Sequence, residues 1–544
     1  MYKYRLFSSN DSDAVRRLIK ATFPNFLEGE YWDWKHLHNP RFDPSIVAIA
    51  EENGKIVGCS HWLQGSFKIA KGAAVKSLLT CDLAVRPGHR NRGVARRLLL
   101  LRRTREMFKQ RGIVVNYDFA DPRLAKKLYS PLLGYTKVRL STKKYFKIIS
   151  WKSLINSVSR KEFQQNLKRK FPKLEKLDLT IFFKTRSAPP LTISLSYGTV
   201  KASEEVCGGD CITVEGDLRT FLSLVQTQNV RRRLLVAILE RKIKIKGSFS
   251  KLFETYRNAS LLQALFKIIV TRATPVGLLE EAGQFSIRGY EDGDEIEIAQ
   301  LFNKAYMNYG GFAPRTPEYW RWCCLERPDV ERKAVLVVVD RHESIAGYAV
   351  VGKSGSIWEL CYDHEREGEE IVSLLLDNLV DYLEKIGATS IVLNAPGEDS
   401  IVNRACEKFG FEAYPTPKMF VSVLDFGRFI PLLAESKKGK WATDSDETLL
   451  VKLKNTPFWI NDTILMKVGR NGVQAASDSQ HATIKVETDF ITLTSLLFGI
   501  MSPVQALTHL KLEVEPFWKI PKLLSILSYL QMEAKWFFPL SDFG

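Results

Sequence analysis

Between residues 79 and 135 the period of the hydrophobic positions changes several times, and each change marks a new element. Leu83 and Val85 stand two apart, Pro87 and Gly88 interrupt, and then Val94, Leu98, Leu99 and Phe108 recur among arginines at helical spacing. The pattern predicts a strand, a tight turn and one long basic amphipathic helix. A short apolar strand at 112–115 follows, then a polar stretch at 118–121, then a second helix with Leu124, Leu128 and Tyr129, closed by Gly134-Tyr135. In the turn, Arg90-Asn91-Arg92-Gly93-Val94-Ala95 puts small residues where unpaired N–H groups and the positive end of a helix point outward. A pyrophosphate fits such a turn.

The pattern before this stretch returns later in the chain. Residues 30–34 read Glu-Tyr-Trp-Asp-Trp, then a strand at 45–50 leads through the hairpin signal Asn53-Gly54 into a second at 56–60. Residues 318–322 read Glu-Tyr-Trp-Arg-Trp, followed by a strand at 334–339 and by Ile345-Ala346-Gly347-Tyr348. The onward spacing is nearly equal, 27 positions from Tyr31 to Gly58 and 28 from Tyr319 to Gly347, which argues for duplication. A second repeat interleaves with it. Ile212, Val214, Glu215, Asp217, Leu218, Thr220, Ser223 and Leu224 are matched by Ile484, Val486, Glu487, Asp489, Phe490, Thr492, Ser495 and Leu496, each set reading as a strand, an acidic helix start and a helix. The first copy continues into an alternating basic strand at 241–247 and the second into 509–515. The organisation is A-B-A′-B′, with units expected at 1–150, 151–286, 287–429 and 430–544.

Length and composition agree with several packed units. A chain of 544 residues that is 45% hydrophobic exceeds one core, and no run of 18 apolar residues offers a membrane span. Eight scattered cysteines make no disulfide framework and show no zinc spacing, so no metal is expected and a reducing cytoplasm is the expected home. The net charge of +18 sits in the first two units, whereas acidic residues predominate in 291–400. No base-reading or stacking element accompanies the basic excess, so no nucleic acid is expected as a partner. An anionic cofactor or attraction between the units accounts for it.

Two motifs at this separation resemble the GNAT superfamily of acyl-CoA N-acyltransferases. The first is V-x-P-x-x-R-x-x-G-x-A at Val85, Pro87, Arg90, Gly93 and Ala95; the second is A-x-x-L-Y-x-x-x-x-G-Y at Ala125, Leu128, Tyr129, Gly134 and Tyr135. The resemblance implies an α/β fold, acetyl-CoA as cofactor, and a cofactor site at Leu83, Ala84, Val85, Arg90, Asn91, Arg92, Gly93, Val94 and Ala95. In A′ the corresponding place after Cys361 carries five carboxylates between Asp363 and Glu370, which repel a pyrophosphate. The B units resemble sterol-carrier-protein-like domains, whose relatives enclose apolar ligands. The whole is similar to the enhanced-intracellular-survival family of acetyltransferases, with one extra B unit.

Acyl transfer from a thioester to an amine needs a neutral amine, stabilisation of charge on the carbonyl oxygen, and a proton for the departing thiolate. Backbone N–H groups of 83–85 are expected to hold the carbonyl. By its place in the second motif, Tyr129 is expected to protonate the sulfur. Asp82, His89, Asp118 and Glu28 are local candidates for the base, and the resemblance adds the terminal carboxylate of Gly544, carried by the aromatic segment 536–538. The reading is an acetyl-CoA-dependent N-acetyltransferase acting on a primary amine. A lipid-binding protein that uses the B units, with the A units as scaffold, stays open beside it. A homo-oligomer is among the assemblies the sequence allows.

Overall fold

The structure is a computed structural model. It describes residues 1–23, 30–40, 46–120, 125–148, 178–184, 190–196, 199–203, 205–207, 211–216, 242–248, 284–388, 390–414, 416, 418–437, 446–470, 472–476, 482–533 and 535–542, with single residues 155, 165, 234, 237, 238, 240 and 250. Glu28, Leu124, the helix of the first B repeat and Gly544 lie outside the described residues.

Seven strands come from the first part of the chain: β1 (Lys3–Leu6), β2 (Ala48–Glu52), β3 (Lys55–Ala70), β4 (Ala73–Val85), β5 (Val115–Asp118), β6 (Thr136–Val138) and β7 (Thr142–Ile148). The next five are β8 (Asp178–Lys184), β9 (Leu191–Ser196), β10 (Thr199–Ser203), β11 (Ile212–Gly216) and β12 (Ile243–Lys246). Then come β13 (Phe285–Gly289), β14 (Tyr309–Gly310), β15 (Val330–Asp340), β16 (Ile345–Gly352), β17 (Ser356–Tyr362), β18 (Ser390–Pro396), β19 (Glu412–Tyr414) and β20 (Met419–Val423). The last are β21 (Glu447–Lys454), β22 (Thr463–Gly469), β23 (Gly472–Ala475), β24 (Ile484–Asp489), β25 (Leu512–Glu515) and β26 (Lys535–Trp536).

The sheets come in two pairs of equal size, an α/β arrangement consistent with a duplicated GNAT-like fold. Two seven-stranded sheets run β1-β2-β3-β4-β5-β20-β6 and β13-β15-β16-β17-β18-β7-β19. Two five-stranded sheets run β10-β9-β8-β11-β12 and β23-β22-β21-β24-β25. In each of the smaller sheets one central pair is parallel, Ile181 opposite Ile212 and Leu449 opposite Ile484, which aligns the repeated Ile-x-Val segments. At β24 the expected acidic helix start is present: Asp489 Oδ1 accepts from the Thr492 N–H at 2.8 Å and opens the helix Phe490–Leu497.

Sequence order and sheet membership diverge at two strands. β20 leaves the second half of the chain and pairs between β5 and β6, with Val421 opposite both Tyr117 and Thr136. β7 makes the reciprocal crossing, with Tyr145 opposite Leu393 on β18 and Ala413 on β19. Each large sheet therefore has its sixth strand supplied by the other half. Without that exchange each sheet would expose two unpaired strand edges beside an apolar core.

A further seam lies where the two aromatic repeats meet. Trp34 and Trp322 stack at 5.0 Å between centroids, and each indole N–H donates to the other residue's carbonyl, at 2.7 and 3.0 Å. Matched residues of two copies in mutual contact place a pseudo-twofold axis between them. The C-terminal unit packs on the first sheet through one core that joins Phe67, Tyr117, Phe429, Phe490, Phe498 and Trp536. Gly134 has φ +66°, and a Cβ there would run into the Phe490 ring, so this helix end needs glycine for two reasons.

Candidate active site

β4 and β5 run parallel but pair only through Ser77, Leu78 and Leu79 against Val115, Asn116 and Tyr117. Past that point they part into a wedge. On its other side β4 keeps pairing with β3, with Cys81 opposite His61 and Ala84 opposite Cys59, so β4 carries one extra residue. Asp82, at φ 47°, takes up that bulge. Beyond the bulge Ala84 faces β3, which leaves the outward N–H groups of Leu83 and Val85 on the wedge side with no β5 partner.

At the mouth of the wedge is the turn. Arg90 is exposed and ties the turn to its strand, its Nε donating to the Val85 carbonyl at 3.0 Å. Asn91 at φ 60° and Gly93 at φ 77° are both left-handed, and Gly93 caps α3 (Val94–Leu99). Val94 and Leu98 are buried against Gly58, which anchors the helix and leaves Asn91 and Arg92 in solvent, with Ala95 half-buried. Tyr4, Arg92, Gly93, Arg96, Arg97 and Arg102 line one open groove beside it. A Cβ built on Gly93 meets nothing within 4 Å, so the space over the first-turn N–H groups is open. These features fit the anionic end of acetyl-CoA.

The single long helix expected here is two. Its chain turns extended at Leu101, ψ 114°, before α4 (Arg102–Gln110) begins. The cause lies in the next turn, where the Arg105 Nε donates to the Leu99 carbonyl at 3.1 Å and its Nη2 shares that acceptor, capping α3. The strand expected at 112–115 is β5, shifted to 115–118.

The second copy differs at the same place. A Cβ on Gly368 would run into the Tyr362 ring, so the space open over Gly93 is filled. The Tyr362 hydroxyl donates to Asp399 Oδ1 at 3.0 Å across the end of β18. Asp363 and Glu365 bind Lys304 at 3.1 and 2.6 Å, and Arg366 binds Asp340. The turn of the second copy is thus filled by Tyr362 and carries carboxylates, neither of which favours a pyrophosphate.

Tyr129 ends a wide helical turn, Ala125–Tyr129, and is buried behind the wedge, where the Asp118 carboxyl at the end of β5 acts on its hydroxyl. Burial first, then Asp118, pushes the Tyr129 hydroxyl well above its ordinary value. Burial raises Asp118 to about 7, against the pull of the Phe119 N–H and the Tyr129 hydroxyl. A group near 7 is matched to moving protons at neutral pH. The second motif pointed to Tyr129 by position, whereas the Asp118 partnership has no local sequence signal.

Asp82 sits in a different setting. Its carboxylate accepts from Lys35 Nζ and His36 Nε2, both at 3.0 Å, and His61 Nδ1 is 3.3 Å away. Burial opposes charge on this pair, yet mutual attraction wins: Lys35 is held above and Asp82 well below its ordinary value. Burial and the neighbouring His61 push His36 down to about 3. The two histidines and the carboxylate lie within reach of one cation, but Lys35 already neutralises that carboxylate. The sequence reading missed Lys35, His36 and His61; two histidines on otherwise buried stretches were the signal. His89 lies 3.2 Å from the Tyr2 hydroxyl and 3.5 Å from Glu52.

The C-terminal segment runs between the two large sheets. Trp536 stacks on Phe67, while Phe537 and Phe538 pack at a tilt against Tyr306 and Phe119, with centroids 5.7, 4.8 and 4.1 Å apart. Asp542 accepts from the Ala313 N–H at 2.9 Å and pairs with buried Arg315 at 2.8 Å.

Residues 3–130 match a family model described as an acetyltransferase (GNAT) domain. A GCN5-related N-acetyltransferase from Anabaena variabilis ATCC 29413 is similar in structure over 99% of this chain and 100% of that one, with TM-score 0.53 and 9% identity. The chain has the GNAT acetyltransferase fold. A probable N-acyltransferase from Enterococcus faecalis V583 is similar over 98% of this chain and 97% of that one, with TM-score 0.52 and 10% identity. Eis1 from Mycobacterium abscessus is similar over 99% of each chain, with TM-score 0.48 and 12% identity. No curated protein matches the sequence. Residues 3–130 are an acetyl-CoA-dependent acetyltransferase domain with an unspecified acceptor, so the enzyme class and cofactor read from the sequence stand. No helix among the described residues is long and apolar enough to cross a membrane.

Proposed function

We propose that the chain moves the acetyl group of acetyl-CoA to a primary amine in the wedge between β4 and β5. The observation that carries this reading is the open left-handed turn at Gly93 beside a groove of arginines, set against the filled, acidic turn of the second copy. Acetyl-CoA supplies an activated acyl group as a thioester. Arg92, Arg96, Arg97 and the α3 N-terminus hold its phosphates, with Arg90, Asn91, Val94 and Ala95 shaping the turn. The N–H groups of Leu83 and Val85 stabilise charge gathering on the carbonyl oxygen.

Proton movement falls to Tyr129 and Asp118. With Asp118 protonated, its O–H donates to the Tyr129 oxygen, and the Tyr129 proton is released toward the departing sulfur. Asp118 replaces that proton and is left as a carboxylate, which regains a proton from solvent while the amine gives its own to solvent on forming the amide. On the acceptor side, the path of 536–542 between the sheets supports a role for the residues that follow, Gly544 included.

In this reading the units are 1–150, 151–286, 287–429 and 430–544. The two smaller ones are sterol-carrier-like scaffolds that also accommodate an apolar ligand, and the protein is cytoplasmic, as its scattered cysteines suggest. Incubating the full chain with acetyl-CoA and a panel of primary amines tests the reading. Amine-dependent release of thiol, with an acetylated amine detected by mass, is the predicted result. Binding of acetyl-CoA without transfer to any amine, protein lysine included, would overturn it.

A further inference from the structure

The outermost strands of the two small sheets occupy matching places and carry opposite charge. β12 lies against β11 with Lys244 opposite Glu215, and β25 lies against β24 with Glu513 opposite Glu487. Glu215 and Glu487 are the same position of the repeat. Both strands alternate in the same way: Ile243 and Leu512 are buried, Ile245 and Val514 half-buried, and the residue after each is exposed. Those exposed residues are Lys244 and Lys246 in the first unit and Glu513 and Glu515 in the second. Read across three neighbouring strands, the first sheet has Lys184, Glu215 and Lys244, and the second has Lys452, Glu487 and Glu513. Only the outer edge changes sign.

Among the described residues no strand pairs with the outer side of β12 or of β25, so each edge offers its peptide groups to a strand from outside the sheet. Charge decides which strand that is. Two copies of β12 would set lysine against lysine, and two of β25 glutamate against glutamate, both destabilising directly across a strand pair. β12 against β25 sets opposite charges together. The local ion pairs leave both signs to spare: Glu215 takes Lys246 at 3.2 Å with Lys244 beside it, whereas Glu487 and Glu513 divide Lys454 between them at 3.4 and 2.8 Å. Apolar side chains flank the acidic edge, with Leu510 before it and Phe517 and Trp518 after it 88%, 73% and 67% exposed. In one chain the two strands belong to separate sheets, so the surface that matches each in length, alternation and charge is the other strand on a second copy.

We propose that β12 of one copy pairs antiparallel with β25 of a second copy, setting Lys244 against Glu515, Lys246 against Glu513 and Ile245 against Val514. The half-buried faces of the two small sheets then run on from one copy into the next. Each copy has one edge of each sign, so every contact takes a basic edge from one and an acidic edge from another. The cofactor turn belongs to a different sheet and takes no part.

The test is sedimentation velocity of the full chain at concentrations from about 1 to about 100 µM, which span micromolar affinities. In low salt the chain should self-associate, and raising NaCl from about 50 to about 500 mM should weaken the association roughly tenfold or more, as screening of exposed charges implies. Lys244→Glu with Lys246→Glu makes both edges acidic, and Glu513→Lys with Glu515→Lys makes both basic, so each variant alone should be monomeric. An equimolar mixture of the two should associate again, to within about threefold of the wild type, because each contact regains opposite charges. Melting temperature and acetyl-CoA affinity should hold in both variants, since the changed side chains are exposed and distant from the turn. If either does not fold, Lys244→Glu and Glu515→Lys, which face each other in the proposed register, carry the same test. A wild type that stays monomeric at about 100 µM in low salt, self-association that survives either reversal, or a mixture of folded variants that stays monomeric would each overturn the proposal.

Discussion

Replacing Asp118 with asparagine keeps the shape of the side chain and removes its ability to charge. An unfolded carboxyl titrates near ~3.9, whereas burial holds Asp118 at about 7 in the folded chain. Between pH 4 and pH 7 the folded chain keeps a proton that the unfolded chain gives up, so this group makes stability fall as pH rises across that window. Asparagine has no such dependence. From pH 5 to pH 8 the wild type should lose about 2.5 kcal/mol relative to Asp118→Asn, the difference between the two titration curves integrated over that range. Urea unfolding followed by tryptophan fluorescence at pH 5, 6, 7 and 8 reads this gap. A gap that stays constant within about 0.5 kcal/mol, well under the free energy of a tenfold change in proton affinity, would refute the assignment of a proton to Asp118 at neutral pH. The same variant breaks the proposed relay, so its kcat should also lose the titration near neutrality.

Three other outcomes follow from the packing and the site. Tyr129→Phe should lower kcat roughly 10²-fold, the scale of general acid catalysis, with acetyl-CoA affinity unchanged; steady-state kinetics on a reactive amine checks it. Val421→Pro, in a strand bonded on both sides by the first sheet, should cost about 3 kcal/mol or more and weaken acetyl-CoA binding from the far half of the chain. Unchanged affinity in a folded Val421→Pro protein would contradict the strand exchange. Gly134→Ala should lower the melting temperature, because its left-handed backbone costs about 1–2 kcal/mol with a Cβ and the Phe490 ring must also move.

The local pattern carried the elements and the turn. Asn53 and Gly54 form the left-handed hairpin turn that their identities required, at φ 51° and 73°, and Gly93 does what a small residue before a helix can do. The aromatic repeat read from spacing is a physical seam, Trp34 on Trp322. What escaped was non-local. Nothing in residues 142–148 or 419–423 distinguishes a strand that pairs with its own half from one that crosses to the other, because both choices bury the same alternating face. The break after α3 depends on Arg105 folding back to Leu99, and a basic residue on a basic helix gives no sign of that. Asp118, Lys35, His36 and His61 acquire their partners only when β3, β4 and β5 assemble, so the fields that act on them were invisible along the chain.

The central claim is that the duplicated fold has one working cofactor site. Titrating the full chain with acetyl-CoA in a calorimeter tests it most directly, alongside Gly93→Asp and a variant of the acidic turn, Glu365→Gln. The account predicts one acetyl-CoA per chain, loss of binding in Gly93→Asp, and no change in Glu365→Gln. Two sites per chain, or one site that survives Gly93→Asp in a folded protein, would contradict it.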